Sequence, residues 1–228
     1  MKNIKNAIQL ETEYIQNRLN NINVILDLSS CGYDSLNDYF KDKKEYLLKT
    51  CGVQIKNNMF MEDIENVTET AILNGQPSLF IPYGEPLFAW HGDEPIDLNL
   101  CQKLGVVVHD MRYRGGTIVC GENDLEVELV IPNKIDVNAQ YFLQKIVNII
   151  PNATIDHNDI MVNNKKVLGS MEREVNNMFI FAFHASFSDQ SAIASQICTK
   201  PAIKEIGFLP IELKENIRNE VISWVRSE

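Results

Sequence analysis

Residues 159–170 read Asp-Ile-Met-Val-Asn-Asn-Lys-Lys-Val-Leu-Gly-Ser. Two short apolar runs flank an Asn-Asn pair, and asparagine tolerates the left-handed backbone of a tight turn, so the stretch predicts a β-hairpin. Lys166 begins the returning strand, where the pleat fixes its direction, and Gly169 leaves space opposite. A lysine in this position can stabilise a carboxylate or a developing oxyanion. We therefore expect an anion site around Lys166, with a solvated turn lysine as the alternative, and Lys165 is expected to be such a turn lysine.

A glycine pair marks the second stretch that suggests chemistry. Residues 111–119 read Met-Arg-Tyr-Arg-Gly-Gly-Thr-Ile-Val. Two glycines let the backbone approach a ligand closely and offer its N–H groups to an anion. Arg112 and Arg114 add positive charge beside them. The combination suits a phosphate or a carboxylate, and a plain Gly-Gly hairpin with exposed arginines is the alternative.

Hydrophobic periodicity around these two stretches predicts a fold of the α+β (α/β) class. Strands are expected at 78–83, 87–91, 106–108, 125–131, 159–162, 166–171 and 178–187, and helices at 61–73, 96–104, 137–150, 188–198 and 210–225. Hairpin links dominate, so we expect a mixed, mostly antiparallel sheet flanked by helices. The first two strands are expected to join through a turn at 84–86, and strand 125–131 is expected to be half-buried, with Glu126 and Glu128 on its solvated face.

The N-terminal part of the chain has a different pattern. Residues 3–22 and 35–47 predict two amphipathic helices, the second with Ser35 as its N-cap. Neither carries a chemical motif. We therefore divide the chain into an N-terminal helical extension, 1–52, and a main domain, 53–228.

Composition excludes several classes of protein. The 228 residues include 45% hydrophobic ones, enough for a packed core, and a net charge of -10 argues against nucleic-acid binding. No apolar run approaches the roughly 20 residues of a membrane span, and the first residues, which have no apolar core and no cleavage site, are not expected to be a secretory signal. The five cysteines form no Cys-x-x-Cys pair, which favours reduced thiols in a cytoplasmic protein. The histidines show no metal-ligand spacing, so no metal site is predicted.

Together the two stretches resemble the lipoate–protein ligase family, within the wider biotin/lipoate ligase catalytic fold. That family carries an Arg-Arg-x-x-Gly-Gly-Gly-Ala-Val loop, which residues 111–119 match with Met111 and Thr117 as departures. It also carries an Asp-hydrophobic-x-hydrophobic-x-x-x-Lys-hydrophobic-x-Gly-Ser hairpin, whose lysine is matched by Lys166. The resemblance covers about residues 59–213 and includes a His-containing strand, matched by the segment around His184.

This resemblance implies a catalytic domain that attaches a lipoyl or octanoyl group to a carrier-domain lysine through an acyl-adenylate. ATP and Mg²⁺ are the implied cofactors, lipoate or octanoate the acyl substrate, and a lipoyl domain or another small carrier protein the acceptor. Lys166 is the implied catalytic lysine. The implied substrate- and cofactor-binding residues are Arg112, Arg114, Gly115, Gly116, Thr117, Gly169, Ser170, His184 and Trp90. For His184 and Trp90, a role in the core of the sheet is the alternative.

Two further interpretations remain open. Octanoyltransferases of the same fold resemble this chain in an Arg-Gly-Gly motif, matched by residues 114–116, and in a cysteine that takes the acyl group as a thioester. Cys198 follows Lys166 by 32 residues and is the corresponding candidate nucleophile, with acyl carrier protein as donor and no ATP. The altered glycine loop favours a third interpretation, a non-catalytic ligand-binding or interaction module.

Overall fold

Two β-sheets of unequal size form the framework of the molecule. The computed structural model describes residues 2–57, 59–84, 87–92, 95–110, 116–199 and 204–226. Within these ranges the strands are β1 (Gln54–Lys56), β2 (Ser78–Phe80), β3 (Leu87–His91), β4 (Val107–Asp110), β5 (Ile118–Gly121), β6 (Leu125–Pro132), β7 (Ala153–Asp156), β8 (Asp159–Val162), β9 (Lys165–Val175) and β10 (Met178–Ala185). The larger sheet has the order β1-β2-β6-β10-β9-β8-β7, and the smaller has the order β4-β3-β5. Neighbours in the larger sheet are antiparallel apart from β1 and β2, which confirms the predicted fold class.

Seven α-helices surround the sheets in the described part of the chain. They are α1 (Ile4–Leu19), α2 (Leu36–Thr50), α3 (Ile64–Leu73), α4 (Leu98–Leu104), α5 (Ala139–Val147), α6 (Ser191–Ile197) and α7 (Leu213–Ser223). Ser35 caps α2 as predicted, because its hydroxyl accepts a hydrogen bond from the Asp38 N–H at 3.1 Å. None of the described helices is both long and apolar enough to cross a membrane.

The larger sheet is covered on both faces. Alternate side chains of β6 and β10 pack with α5 and α7 on one face, where the Phe142 ring lies 4.9 Å from that of Phe181 and 4.8 Å from that of Trp224. The intervening side chains pack against α3 and the smaller sheet, including Phe88 and Trp90. Because successive side chains of a strand point to opposite faces, β6 and β10 contribute to both clusters.

The prediction that strand 125–131 is half-buried is wrong. Glu126 and Glu128 are only 2% and 3% exposed. The strand lies between β2 and β10, and the face expected to be solvated is covered by the smaller sheet. An alternating pattern shows which residues share a face, but whether a second layer covers that face depends on the tertiary structure.

The strands predicted at 78–83 and 87–91 do not pair with each other, and residues 85 and 86 of the turn expected between them lie outside the described residues. β2 pairs with β1 and β6 in the larger sheet, whereas β3 pairs with β4 and β5 in the smaller one. The sequence pattern did not predict the short strand β1. It pairs in parallel with β2, which follows more than 20 residues later in the chain.

The N-terminal helices contact each other and also the main core. α1 and α2 enclose a small cluster of their own, in which the buried Tyr39 hydroxyl donates to Glu11 at 2.8 Å. At the other end of α2, Leu48 is buried in the core beneath the larger sheet, and Glu45 pairs with Lys145 of α5 at 3.2 Å. The boundary at residue 52 therefore remains a prediction, with the end of α2 contributing to the core.

Replacing Leu48 by alanine tests this contribution. Leu48 is 1% exposed, so the change should lower the free energy of unfolding by about 2–5 kcal/mol. Leu36 begins the same helix and is 48% exposed, so Leu36→Ala should change it by about 0.5 kcal/mol. Urea unfolding followed by circular dichroism measures both. Equal effects of the two substitutions would place α2 outside the core.

Candidate active site

The hairpin predicted from residues 159–170 is present. β8 and β9 pair in antiparallel fashion, and the two residues between them, Asn163 and Asn164, have φ angles of 51° and 63°. These left-handed angles explain why asparagines occupy the turn, since their short polar side chains tolerate that conformation. The hairpin fixes where the returning strand begins.

A β-bulge at the start of β9 determines where Lys166 points. Met161 pairs with Lys166, but the preceding residue, Ile160, pairs with Leu168. Val167 is therefore an extra residue in β9. Lys166 and Gly169 are three residues apart, and in a regular strand their side chains would face opposite sides of the sheet. The extra residue between them brings Lys166 to the same side as Gly169. A Cβ atom at Gly169 would lie 2.6 Å from Cε of Lys166 and 2.7 Å from its Nζ, so this glycine leaves the space that the lysine occupies.

The backbone of Lys166 is held on its other edge by the segment before α7. Its N–H donates to the Glu205 carbonyl at 2.8 Å, and its carbonyl accepts from the Gly207 N–H at 2.9 Å. With its N–H and its carbonyl both hydrogen-bonded to this segment, the backbone of Lys166 is fixed, and only its side chain is left to adjust to a ligand.

Asp159 links two lysine side chains in this site. The Nζ atom of Lys166 lies 2.8 Å from Oδ1 of Asp159, and that of Lys204 lies 2.7 Å from Oδ2. Lys204 also pairs with Asp156 at 2.9 Å. Hydrogen bonds to Asp159 and Asp156 raise the pKa of Lys204, and the hydrogen bond from Lys204 lowers the pKa of Asp156.

Lys166 remains accessible to an incoming anion. Its side chain is 33% exposed, whereas that of Asp159 is 15% exposed. An ammonium group has three N–H donors, and Asp159 engages it from one side. A ligand carboxylate can therefore bind the same ammonium. Asp159 and Lys204 were not among the predicted site residues, although Asp159 begins the hairpin motif.

His184 is the neighbour of Gly169 on the next strand. Register places Asp159, Gly169, His184 and Glu126 opposite one another across β8, β9, β10 and β6. His184 is buried, with Nδ1 2.6 Å from Oε1 of Glu126 and Nε2 3.1 Å from the Ser186 hydroxyl. The histidine thus has a hydrogen-bonded position in the core of the sheet, and a contact with substrate stays a prediction.

A buried carboxylate that the sequence did not single out joins the ends of two strands. Asp124 accepts hydrogen bonds from the Gly121 N–H at 2.9 Å, the Phe187 N–H at 2.7 Å and the Ser188 N–H at 3.1 Å. It therefore fastens the turn after β5 to the chain that leaves β10.

The other predicted binding residues lie in several places. Trp90 is buried and packs edge-to-face on Phe88, with 5.9 Å between ring centroids. The Thr117 hydroxyl accepts from the Gly92 N–H at 3.3 Å, beside the exposed Gly116. The Ser170 hydroxyl donates to the Asn158 carbonyl at 2.8 Å and so braces the hairpin. Arg112, Arg114 and Gly115 lie outside the described residues.

Cys198 lies beside the smaller sheet. It follows α6, its backbone forms an isolated bridge with Ile96, and its half-buried side chain packs near Ala89 and Ile197. Lys166 instead lies on β9 of the larger sheet. The nucleophilic role of Cys198 stays a prediction.

Comparison with known proteins gives the fold a family context. No protein-family model matches the chain, and no curated protein matches it. Among solved structures, P. falciparum LipL1 in complex with lipoate matches with a TM-score of 0.59 and 19% identity, over 75% of this chain and 59% of that one. Lipoate-protein ligase A bound with ATP matches with a TM-score of 0.57 and 14% identity, over 75% and 82%.

The chain has the fold of the lipoate–protein ligases. A third structure, the bipartite lipoate protein ligase of Thermoplasma acidophilum, described together with its E2 lipoyl domain, matches with a TM-score of 0.53 and 14% identity, over 77% and 73%. At these identities the similarity shows the lipoate–protein ligase fold alone. The chain spans 59% of the length of LipL1, so activity, substrates and partners are matters for proposal.

Proposed function

We propose that this chain is a lipoate–protein ligase-like acyltransferase. It would activate the carboxylate of lipoate or octanoate with ATP and transfer the acyl group to a lysine of a small carrier domain. The observation that carries the proposal is the position of Lys166. Its ammonium lies in the space left by Gly169, held by Asp159 at 2.8 Å, on the hairpin that resembles the ligase motif and within the ligase fold.

The proposed reaction has two steps. A carboxylate oxygen of the acid attacks the α-phosphorus of ATP, a P–O bond forms, and pyrophosphate leaves. The ε-amine of the acceptor lysine then attacks the acyl carbon. The C–N bond forms, the bond to AMP breaks, and the amine loses a proton to solvent.

Lys166 serves both steps in this proposal. Its ammonium would bind the acyl carboxylate beside the phosphate, and later stabilise the negative charge that develops on the acyl oxygen. Asp159 would position that ammonium, since the two groups already pair. The resemblance assigns the phosphates to Arg112 or Arg114 and to the N–H groups of Gly115 and Gly116.

Mg²⁺ is implied by the resemblance but does not fit Asp159. Both carboxylate oxygens of Asp159 accept from ammonium groups, Oδ1 from Lys166 and Oδ2 from Lys204. A Mg²⁺ ion bound to Asp159 would lie close to the positive charges of both Lys166 and Lys204, which oppose its binding. Neither step of the proposed reaction is therefore assigned to Mg²⁺.

The test is a direct assay of both half-reactions. The purified chain is incubated with lipoate, ATP and Mg²⁺, and then with a lipoyl domain as the acceptor. We expect AMP and pyrophosphate in equal amounts, and a mass increase of one lipoyl group on the acceptor lysine. No pyrophosphate and no modified acceptor, with either lipoate or octanoate, would contradict the proposal.

A second incubation, with octanoyl-acyl carrier protein and without ATP, distinguishes the octanoyltransferase alternative. In that reaction the Cys198 thiolate attacks the thioester of octanoyl-acyl carrier protein, and the carrier thiol leaves with a proton. The chain would gain one octanoyl group without ATP, and hydroxylamine would remove it. Cys198→Ser would block this reaction and leave the ATP-dependent one active. Binding of the acid without either reaction would indicate a non-catalytic module. Under each of these three interpretations, a cytoplasmic location of the protein stays a prediction.

Replacing Gly169 by alanine tests the position of the Lys166 side chain. The new methyl group would lie 2.7 Å from Nζ, inside the roughly 3.5–4.0 Å of a normal contact, so the ammonium must move. The end of a lysine side chain is flexible, and we expect the protein to stay folded. A displacement of this kind should slow pyrophosphate release by about 10²-fold.

The control for this prediction is the double variant. Lys166→Ala combined with Gly169→Ala should be no slower than Lys166→Ala alone, since both changes act on one interaction. A Gly169→Ala variant as fast as the unmodified chain would mean that the ammonium is not used where the structure places it.

A further inference from the structure

Three side chains of metal-ligand type converge between the two sheets. Cys120 lies on β5 of the smaller sheet, and Glu126 and His184 lie on β6 and β10 of the larger one. Sγ of Cys120 is 3.4 Å from Oε1 of Glu126 and 3.4 Å from Nδ1 of His184, and those two atoms are 2.6 Å apart. All three residues are buried. We call this group the Cys–Glu–His cluster.

We propose that the Cys–Glu–His cluster binds a divalent transition metal of the zinc class. Sulfur, imidazole nitrogen and carboxylate oxygen are the ligands that Zn²⁺ prefers, whereas Mg²⁺ and Ca²⁺ prefer oxygen ligands. Tetrahedral bonds of about 2.0–2.3 Å place ligand atoms roughly 3.3–3.6 Å apart. The two contacts of the sulfur already have this length. Only the contact between nitrogen and oxygen has to lengthen, by about 0.7 Å.

Charge balance favours a divalent ion in this buried space. A thiolate and a carboxylate carry two negative charges, the imidazole is neutral, and a divalent cation makes the group neutral overall. Burial of an uncompensated charge is costly, so a neutral set of ligands and metal is the arrangement that burial favours. Cys120 binds as the thiolate and releases its thiol proton to solvent, while His184 binds through Nδ1 and carries its proton on Nε2.

The surroundings of His184 suit that tautomer. Nε2 lies 3.1 Å from the Ser186 hydroxyl and 3.6 Å from Oδ2 of Asp124. Metal-bound histidines almost always donate their second ring N–H to a carboxylate, a carbonyl, water or a similar acceptor. Asp124 is itself fixed by backbone N–H groups, so the acceptors that would orient the ring are already in place.

A metal in the Cys–Glu–His cluster would connect the two sheets. Cys120 and His184 are 64 residues apart in sequence, and no hairpin or shared strand joins them. His184 is also the cross-strand neighbour of Gly169, against which Lys166 rests. The ion would therefore stabilise the strand that lies next to the candidate active site. Spacing along the sequence did not predict this site, because its ligands come from three separate strands.

The test uses the full chain without a histidine tag. The protein is treated with a chelator, exchanged into metal-free buffer, and titrated with Zn²⁺ or Co²⁺ alone. We expect one zinc per chain after dialysis, and with Co²⁺ a thiolate-to-metal charge-transfer band. At a free-metal concentration 100 times the Kd, Tm should rise by about 5–10 °C.

Variants assign the binding to these residues. Cys120→Ser should abolish the charge-transfer band and weaken zinc binding by about 100-fold or more, whereas Cys101→Ser, at another buried cysteine, should change neither. Ser186→Ala should keep one zinc per chain and weaken its binding by about 10–100-fold.

Two results would overturn the proposal. One is an unmodified chain that retains no zinc and gives no charge-transfer band with Co²⁺. That result would leave a metal-free cluster in which the imidazole and the thiol donate to Glu126. The other is a Cys120→Ser variant with the same cobalt spectrum as the unmodified chain. If the Cys120→Ser variant does not fold, the presence or absence of the charge-transfer band in the unmodified chain decides whether the proposal stands. None of these measurements depends on whether the chain is a ligase.

Discussion

Replacing Lys166 by alanine is expected to lower the rate of acyl transfer by about 10²–10³-fold, the usual effect of losing one group that stabilises a developing oxyanion. The ammonium lies 2.8 Å from Asp159 and is partly exposed, so it can bind a substrate carboxylate directly. Removing it should slow both pyrophosphate release and modification of the acceptor, because the proposal assigns it to both steps. Folding should be nearly unchanged, since Lys204 still pairs with Asp159.

Lys165→Ala is the matched control. Lys165 is adjacent in sequence, but it is exposed and pairs with Glu205 at 2.5 Å. Hydrogen bonding to Glu205 raises the pKa of Lys165, so this lysine is positively charged at neutral pH and the control removes one positive charge from the same turn. We expect acyl transfer within about twofold of the unmodified rate, since exposed ion pairs contribute little. Equal rates for the two variants would remove Lys166 from the mechanism.

Replacing Phe142 by alanine is expected to give a large loss of stability. The ring is fully buried between α5 and the larger sheet, with the rings of Phe181 and Trp224 within 5 Å of its centre. Large-to-small changes of buried phenylalanine typically cost about 3–5 kcal/mol, from lost burial and from the cavity left behind. Urea unfolding followed by circular dichroism gives the difference in unfolding free energy.

Phe40→Ala is a suitable comparison, because Phe40 is 41% exposed and lies on α2. Its replacement should change the unfolding free energy by about 0.5 kcal/mol. If Phe142→Ala unfolds at the same urea concentration as Phe40→Ala, the centre of the core does not lie where α5 meets β10.

Local patterns in the sequence predicted those parts of the fold that local interactions decide. Asn163 and Asn164 predicted the hairpin because the turn requires left-handed backbone, and they adopt it. Ser35 predicted the start of α2, where its hydroxyl accepts from a backbone N–H. The hairpin motif also predicted that Lys166 and Gly169 belong to one site, and the Lys166 ammonium lies directly over Gly169.

Patterns failed where the environment of a strand is set by distant parts of the chain. Alternation with apolar residues predicts that Glu126 faces solvent, yet the smaller sheet covers it. Residues 125–131 read Leu-Glu-Val-Glu-Leu-Val-Ile, and the apolar residue at position 130, on the same face as the glutamates, was a sign that this face is covered. Similarly, β2 and β3 are neighbours in sequence but belong to different sheets.

The sequence by itself determined the identity and order of most helices and strands, the turn of the hairpin and the lysine at its end, because periodicity, caps and turn residues act within a few positions. Only the tertiary structure decided which partners those residues meet. A bulge at Val167 turns Lys166 toward Gly169, Lys204 arrives from a later segment to share Asp159, and three strands bring Cys120, Glu126 and His184 together. Register, bulges and sheet order depend on hydrogen bonds and burial between segments far apart in the chain, and no local pattern encodes them.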